Sequence, residues 1–114
     1  MVQTARLSMN WVDYEGPRDR KSLSPHSHAD FSQLAIVLEG EFVHHLRHPW
    51  GPDADNWQDD QHLRAGPASV TDITPHTIHT SEGVGAGTHH MIEIFAPPRQ
   101  DFIDKGWMSN SQDY

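Results

Sequence analysis

Polar and apolar residues alternate with a period near two along much of the chain. From Arg6 to Tyr14, the residues Leu7, Met9, Trp11 and then Asp13 hold alternate positions, which predicts a half-buried strand with the first three facing inward. Gly16-Pro17 stops it, and the charged stretch Arg18 to Ser22 reads as an exposed loop. Phe31 to Glu39 is a β-rich run ending at Gly40. Glu41 to Arg47 resumes the alternation with Phe42, His44 and Leu46 on one face, so a hairpin turning at Gly40 is expected. His48 to His62 carries Pro49, Gly51, Pro52, several Asp and Asn residues, Trp50 and Trp57. It reads as a long polar connection with aromatic anchors, a candidate to fold over the mouth of a barrel.

Gly66-Pro67 marks a turn, Ser69 to Thr74 a strand that Pro75 breaks, and Thr77 to Thr80 the start of another. Gly83 to Gly87 reads as a flexible turn, and Thr88 to Phe95 as a strong strand closed by Ala96-Pro97-Pro98. The remainder, from Arg99 to Tyr114, holds one short helical turn near Asp101 to Lys105. Roughly seven or more short strands and no amphipathic helix predict an all-β sandwich or barrel.

At 114 residues the chain is read as one domain, residues 1–114, with 1–20 an N-terminal strand and loop and 100–114 a C-terminal tail. A formal charge of −8 from scattered acids argues against nucleic acid or an anionic membrane surface as partner and favours a small molecule. Without a long apolar run or a signal-like N-terminus, a soluble cytoplasmic protein is expected. There is no cysteine, which excludes thiolate catalysis, disulfides and Cys-ligated zinc. Any metal must be held by His, Asn, Gln or carboxylate.

Ten histidines make that possibility concrete. On a strand His26 and His28 share a face and direct two imidazoles to one point, half of a site for zinc, iron, nickel or manganese. Gln33, five residues after His28, falls on the opposite face unless a bend intervenes around Ala29 to Ser32. In Asp72-Ile73-Thr74-Pro75-His76-Thr77-Ile78-His79 a strand stops and a histidine starts the next stretch.

Together these segments resemble the two motifs of the cupins, small jelly-roll β-barrels also described as a double-stranded β-helix. The first cupin motif runs His-x-His, three or four residues, Glu, six residues, Gly. Here His26-Ser27-His28, four residues, Gln33, six residues and Gly40 match it with one substitution. Gly66, Pro75 and His79 are similar to the looser second motif, with an interval about two residues longer, an even insertion that keeps the inward face inward. Ile92 to Arg99 looks like the last strand and exit of single-domain cupins, and the resemblance covers roughly residues 20 to 100.

The resemblance implies a divalent transition metal (Zn, Fe, Ni or Mn) on His26, His28 and His79, with Gln33 in the place usually held by Glu. Three neutral imidazoles and an amide leave the ion's charge uncancelled, which favours an anionic or enolate oxygen ligand and Lewis-acid chemistry. The expected function is isomerisation, cyclisation or elimination at a carbonyl or enol of a small oxygenated substrate. An iron or nickel dioxygenase and a non-catalytic sensing barrel are the alternatives.

His44 and His90 are the candidate catalytic proton carriers. His44 shares a face with Phe42 and Leu46, and His90 shares one with Ile92 and Ile94, which excludes His89 from that face. His45, His48 and His62 read as solvated and His76 as a rim residue. Trp11, Trp50, Trp57 and Trp107 read as core plugs or contacts of a homodimer, the expected oligomer.

Overall fold

The computed structural model describes residues 1–114. Eight strands follow one another as β1 (Val2–Gln3), β2 (Ser8–Glu15), β3 (Ser32–Glu39), β4 (Glu41–Arg47), β5 (Gln61–Ala65), β6 (Val70–Ile73), β7 (Ile78–Val84) and β8 (Thr88–Ala96). Short 3-10 turns at Ala54–Asn56 and Ser111–Asp113 and one helix, α1 (Gln100–Asp104), complete the chain. A five-stranded sheet, in the order β1-β2-β8-β3-β6, faces a three-stranded sheet, β5-β4-β7, and every named pairing is antiparallel. This is the all-β sandwich that the alternation predicts, in the jelly-roll form that the cupin resemblance implies. No helix is long and apolar enough to cross a membrane.

Between the sheets, Ala35, Val37, Phe42, Leu46, Ala65, Ile73 and Met91 form the apolar core, with Val12 and Tyr14 packed against it. Each large side chain among them contributes about 1.5–3 kcal/mol on burial. The inner faces are far from uniformly apolar: Gln33, His44, His79 and His89 are buried there too. The interior of this small barrel therefore mixes apolar and polar side chains.

Three expectations are corrected. β3 and β4 do not pair with each other: β3 pairs with β6 and β8, and β4 with β5 and β7. Gly40 is therefore a corner where the chain leaves one sheet for the other, not a hairpin turn. On β2 the inward residues are Ser8, Asn10, Val12 and Tyr14, while Trp11 is 52% exposed on the outer face. The large apolar residues of this strand mark the outer side, because the outer face of the five-stranded sheet is itself apolar. Gly83 and Val84 lie within β7, which shortens the following turn.

The C-terminal segment packs against the N-terminal strand. Asn110 accepts a hydrogen bond from the Gln3 backbone N–H at 2.9 Å and donates one to the Gln3 carbonyl at 3.0 Å, and Met108 is buried. The 48–60 connection is braced at its base by the Arg47–Asp60 ion pair (2.6 Å), and Trp50 stacks on Trp57 at 4.9 Å. Neither ring is a core plug, and Trp107 is 53% exposed.

Gly40 has φ +82°, and a Cβ there would stand 2.6 Å from the Thr88 carbonyl oxygen and 2.9 Å from the His89 ring. Gly40→Ala is expected to cost roughly 2–4 kcal/mol, from left-handed backbone strain plus overpacking. Gly16→Ala, at φ +75° with open space around it, should cost only about 1–2 kcal/mol. Urea unfolding checks this through the midpoint at unchanged slope.

Candidate metal centre

His26 and His28 are presented by an extended segment outside the regular strands, and His79 by the second position of β7. Two backbone hydrogen bonds join them: His26 N–H donates to His79 O at 3.0 Å, and His79 N–H donates to His26 O at 2.8 Å. A third tie, His76 N–H to His28 O at 2.6 Å, holds the turn after β6 against the first motif. His76 adopts φ +70° in that turn.

The three rings converge. Their centroids are 4.5 Å apart for His26 and His79, 4.8 Å for His26 and His28, and 5.2 Å for His28 and His79. One nitrogen of each lies within 4.8 Å of the others. Second interactions orient two of the rings. Nδ1–H of His26 donates to the Ser24 carbonyl at 2.7 Å and Nδ1–H of His79 to the Thr77 carbonyl at 2.9 Å, since a carbonyl only accepts. Each Nε2 is left with its lone pair, the tautomer a metal ligand needs.

Burial adds a second observation. Nε2 of His28, Nε2 of His79 and Oε1 of Gln33 are buried without a hydrogen-bond partner. Such groups cost about 1–3 kcal/mol each when left unpaired. The chain bends at Ala29–Asp30, which resets the strand parity so that Gln33 faces inward with Ala35 and Val37. The bend that the five-residue offset demands is therefore present.

The electrostatics favour the neutral form of His28 and His79. Burial, then the nearby charges of Arg99, His26 and His79, lowers His28 from 6.5 to about 4. Burial also lowers His79, partly opposed by its bond to the Thr77 carbonyl. Neutral imidazoles with free lone pairs fit a divalent cation, and three converging ring nitrogens suit a borderline transition metal.

His44 is fully buried on the inner face of β4 and stacks on Phe42. Its Nδ1 stands 2.7 Å from Ser81 Oγ, and its Nε2 is buried without a partner. His90 does not reach the interior: β8 directs His89, Met91, Glu93 and Phe95 inward and His90 outward. Ile92 and Ile94, which seemed to mark the inner face, belong to the apolar outer face. His89 is enclosed, stacked on Tyr14 with Nε2–H donating to the Val84 carbonyl, and serves the corner beside Gly40.

Sequence reasoning missed Glu93, which shares its parity with Met91 and Phe95. It lines a cavity of about 70 Å³ together with Tyr14, Arg18, His26 and His79. Burial raises the Glu93 carboxyl above the usual range, partly offset by a 3.3 Å hydrogen bond from Asn10. Arg18 is held by the Ser81 carbonyl and by Ser24 Oγ, both at 2.9 Å. Outside, His28 also borders a cleft of about 820 Å³ walled by Phe31, Pro97, Gln100 and Tyr114. Arg99 lies beside it over Phe102 at 3.6 Å and over Phe31 and Phe95 at 4.8 Å. The Trp50–Trp57 loop lines neither space, and its own depression is shared with Ile78.

No protein-family model and no curated protein matches the chain. Solved structures do. The chain is similar to KdgF from Halomonas sp. at TM-score 0.67 and 20% identity, over 89% of this chain and 79% of that one. It is similar to an RmlC-like cupin from Shewanella frigidimarina at TM-score 0.63 and 20% identity, over 88% and 74%. A recombinant oxalate oxidase in complex with glycolate aligns at TM-score 0.62 and 22% identity, over 80% of this chain but 42% of that one. The chain thus has the cupin fold, with a histidine triad arranged as a possible metal site.

His44 is lowered from 6.5 to about 4, with burial the largest cause. In the unfolded chain it takes a proton below about 6.5; in the folded chain it resists until about 4. The contribution of His44 to the stability of the metal-free protein should therefore be complete above pH 6.5 and be lost as pH drops from 6.5 toward 4. Thermal melts with a chelator present check this, and His44→Gln should give a shallower fall across the same window.

Proposed function

We propose that the chain is a metal-dependent enzyme of the isomerase, cyclase or lyase type, with His26, His28, His79 and Gln33 holding a divalent transition metal. The observation that carries this is the convergence of the His26, His28 and His79 rings, with Nε2 of His28 and of His79 buried and unpartnered. A bound divalent cation supplies Lewis acidity to a carbonyl or enol oxygen.

The chain's own groups account for the rest. Arg18 brings a fixed positive charge to the cavity and suits the carboxylate or enolate end of a small oxygenated substrate. Glu93, raised by burial, has the basicity to accept a proton from carbon and return it to the neighbouring atom. It replaces His90 as the proton carrier, with His44 behind it on the opposite sheet. The cavity is small, so the reacting end enters it while the remainder of the substrate lies outside.

Near-stoichiometric zinc, iron, nickel or manganese is expected by elemental analysis of untagged protein. The triad occupancy should vanish in His26→Ala and His79→Ala, and Gln33→Ala should weaken it about tenfold or more, about 1.4 kcal/mol per factor of ten. Glu93→Gln should retain the metal yet lower α-proton exchange of small keto acids in D2O by about 10²–10⁴-fold, read by NMR. A native protein that takes up no metal at the triad would sink this reading.

We also infer a homodimer through the outer face of the five-stranded sheet. Cross-strand register aligns Trp11, Ile92, Ile36 and Val70 in one row and Met9, Ile94 and Leu34 in the next. Trp11, Leu34 and Val70 are 52%, 36% and 60% exposed. The face is about 20 Å across its five strands. Light scattering should give twice the 12.9 kDa chain mass, and Trp11→Asp should shift it toward the monomer. A monomeric native protein at micromolar concentration would refute the dimer.

A further inference from the structure

Histidines meet a second time, on the other side of β4. Phe42, His44 and Leu46 face the interior, so His45 lies on the outer face of the three-stranded sheet. The β4–β5 register sets His45 directly opposite His62, and the β4–β7 register sets it opposite Thr80. His62 is exposed, as the sequence suggests, and His45 is half-buried; their rings pack at 4.9 Å, with Nδ1 of one 2.7 Å from Nδ1 of the other.

The far side of His45 is also occupied. Its Nε2 is 2.9 Å from Oε1 of Glu82, a carboxylate only 2% exposed, whose other oxygen stands 3.5 Å from Arg20 Nε. A carboxylate accepts, so Nε2 of His45 carries the hydrogen and Nδ1 presents its lone pair to His62. A buried carboxylate behind a histidine, fixing its tautomer and raising its basicity, is the support that metal-ligating imidazoles characteristically have. Thr80 Oγ1 is buried without a partner and borders, with His45, His62 and Asp60, a depression of about 200 Å³.

We propose that His45 and His62 form a second divalent-metal site outside the barrel, binding zinc or copper through their two Nδ1 atoms with Glu82 as the positioning residue. Thr80 Oγ1 meets a metal-bound water. Without metal, Nδ1–H of His62 donates to His45; on binding, Nδ1 gives its hydrogen to solvent while Nε2 of His62 takes one up, so the ring stays neutral. Two tetrahedral ligands at about 2.05 Å stand about 3.3 Å apart, so the 2.7 Å pair must open by about 0.6 Å. His62 is exposed on β5, an edge strand, and has the freedom to yield. Two imidazoles borrow too little charge for tight binding, which makes this the weaker site and a metal clip between β5 and β4.

Calorimetric titration of the full chain with zinc chloride, after chelator treatment, is the test. The native protein should bind two equivalents, His62→Ala one, the His26→Ala/His79→Ala protein one, and the triple variant none. Glu82→Gln should weaken only the second equivalent, by about 10–100-fold, with the first unchanged. Histidine ring NMR should show His45 and His62 moving with the second equivalent. Unchanged stoichiometry in His62→Ala, or no binding by the His26→Ala/His79→Ala protein, would overturn the proposal without touching the triad reading.

Discussion

The pair of backbone hydrogen bonds between His26 and His79 is the constraint on which the site depends. It ties an extended segment before β3 to the start of β7, elements that otherwise belong to opposite sheets. Without it, His26 and His28 would sit on a free loop, and the entropy of bringing two imidazoles to a third would fall on the ligand. With it, three rings are gathered in advance, and carbonyls direct the lone pairs of two of them, His26 and His79. The cost is an interior containing unpaired nitrogen and oxygen, tolerated because the surrounding sheets are independently well paired and packed.

That polar interior also organises the electrostatics. Burial favours neutral imidazoles at His28, His44 and His79, and disfavours the ionised carboxylate of Glu93. The same desolvation that makes the histidines available as ligands thus makes the glutamate basic, and the cationic Arg18 remains beside both. The site is a consequence of placing a few polar side chains at inward positions of a small barrel.

The two sheets divide the histidines by parity. His44 and His45 are neighbours in sequence, yet one looks into the barrel and the other joins His62 and Glu82 outside. A similar split separates His89 from His90 on β8. Parity was read correctly on β4, where Phe42 and Leu46 are unambiguous, and incorrectly on β2 and β8. There Trp11, Ile92 and Ile94 cover the outer face, so hydrophobicity marks both sides of the sheet and loses its power to choose between them.

The all-β architecture and most strand positions are legible along the chain, while the joining of the His26, His28 and His79 motifs, with the bend before Gln33 that it demands, came from the resemblance to the cupins. Those features rest on local rules: period-two alternation, turn residues and fixed spacing act over a few residues and are legible there. The corner at Gly40, the entry of Glu93 and Arg18 into the cavity, and the meeting of His45 with His62 appear only once the sheets are assembled. Those contacts depend on which strands become neighbours and in what register, and that choice is made by packing two whole sheets against each other.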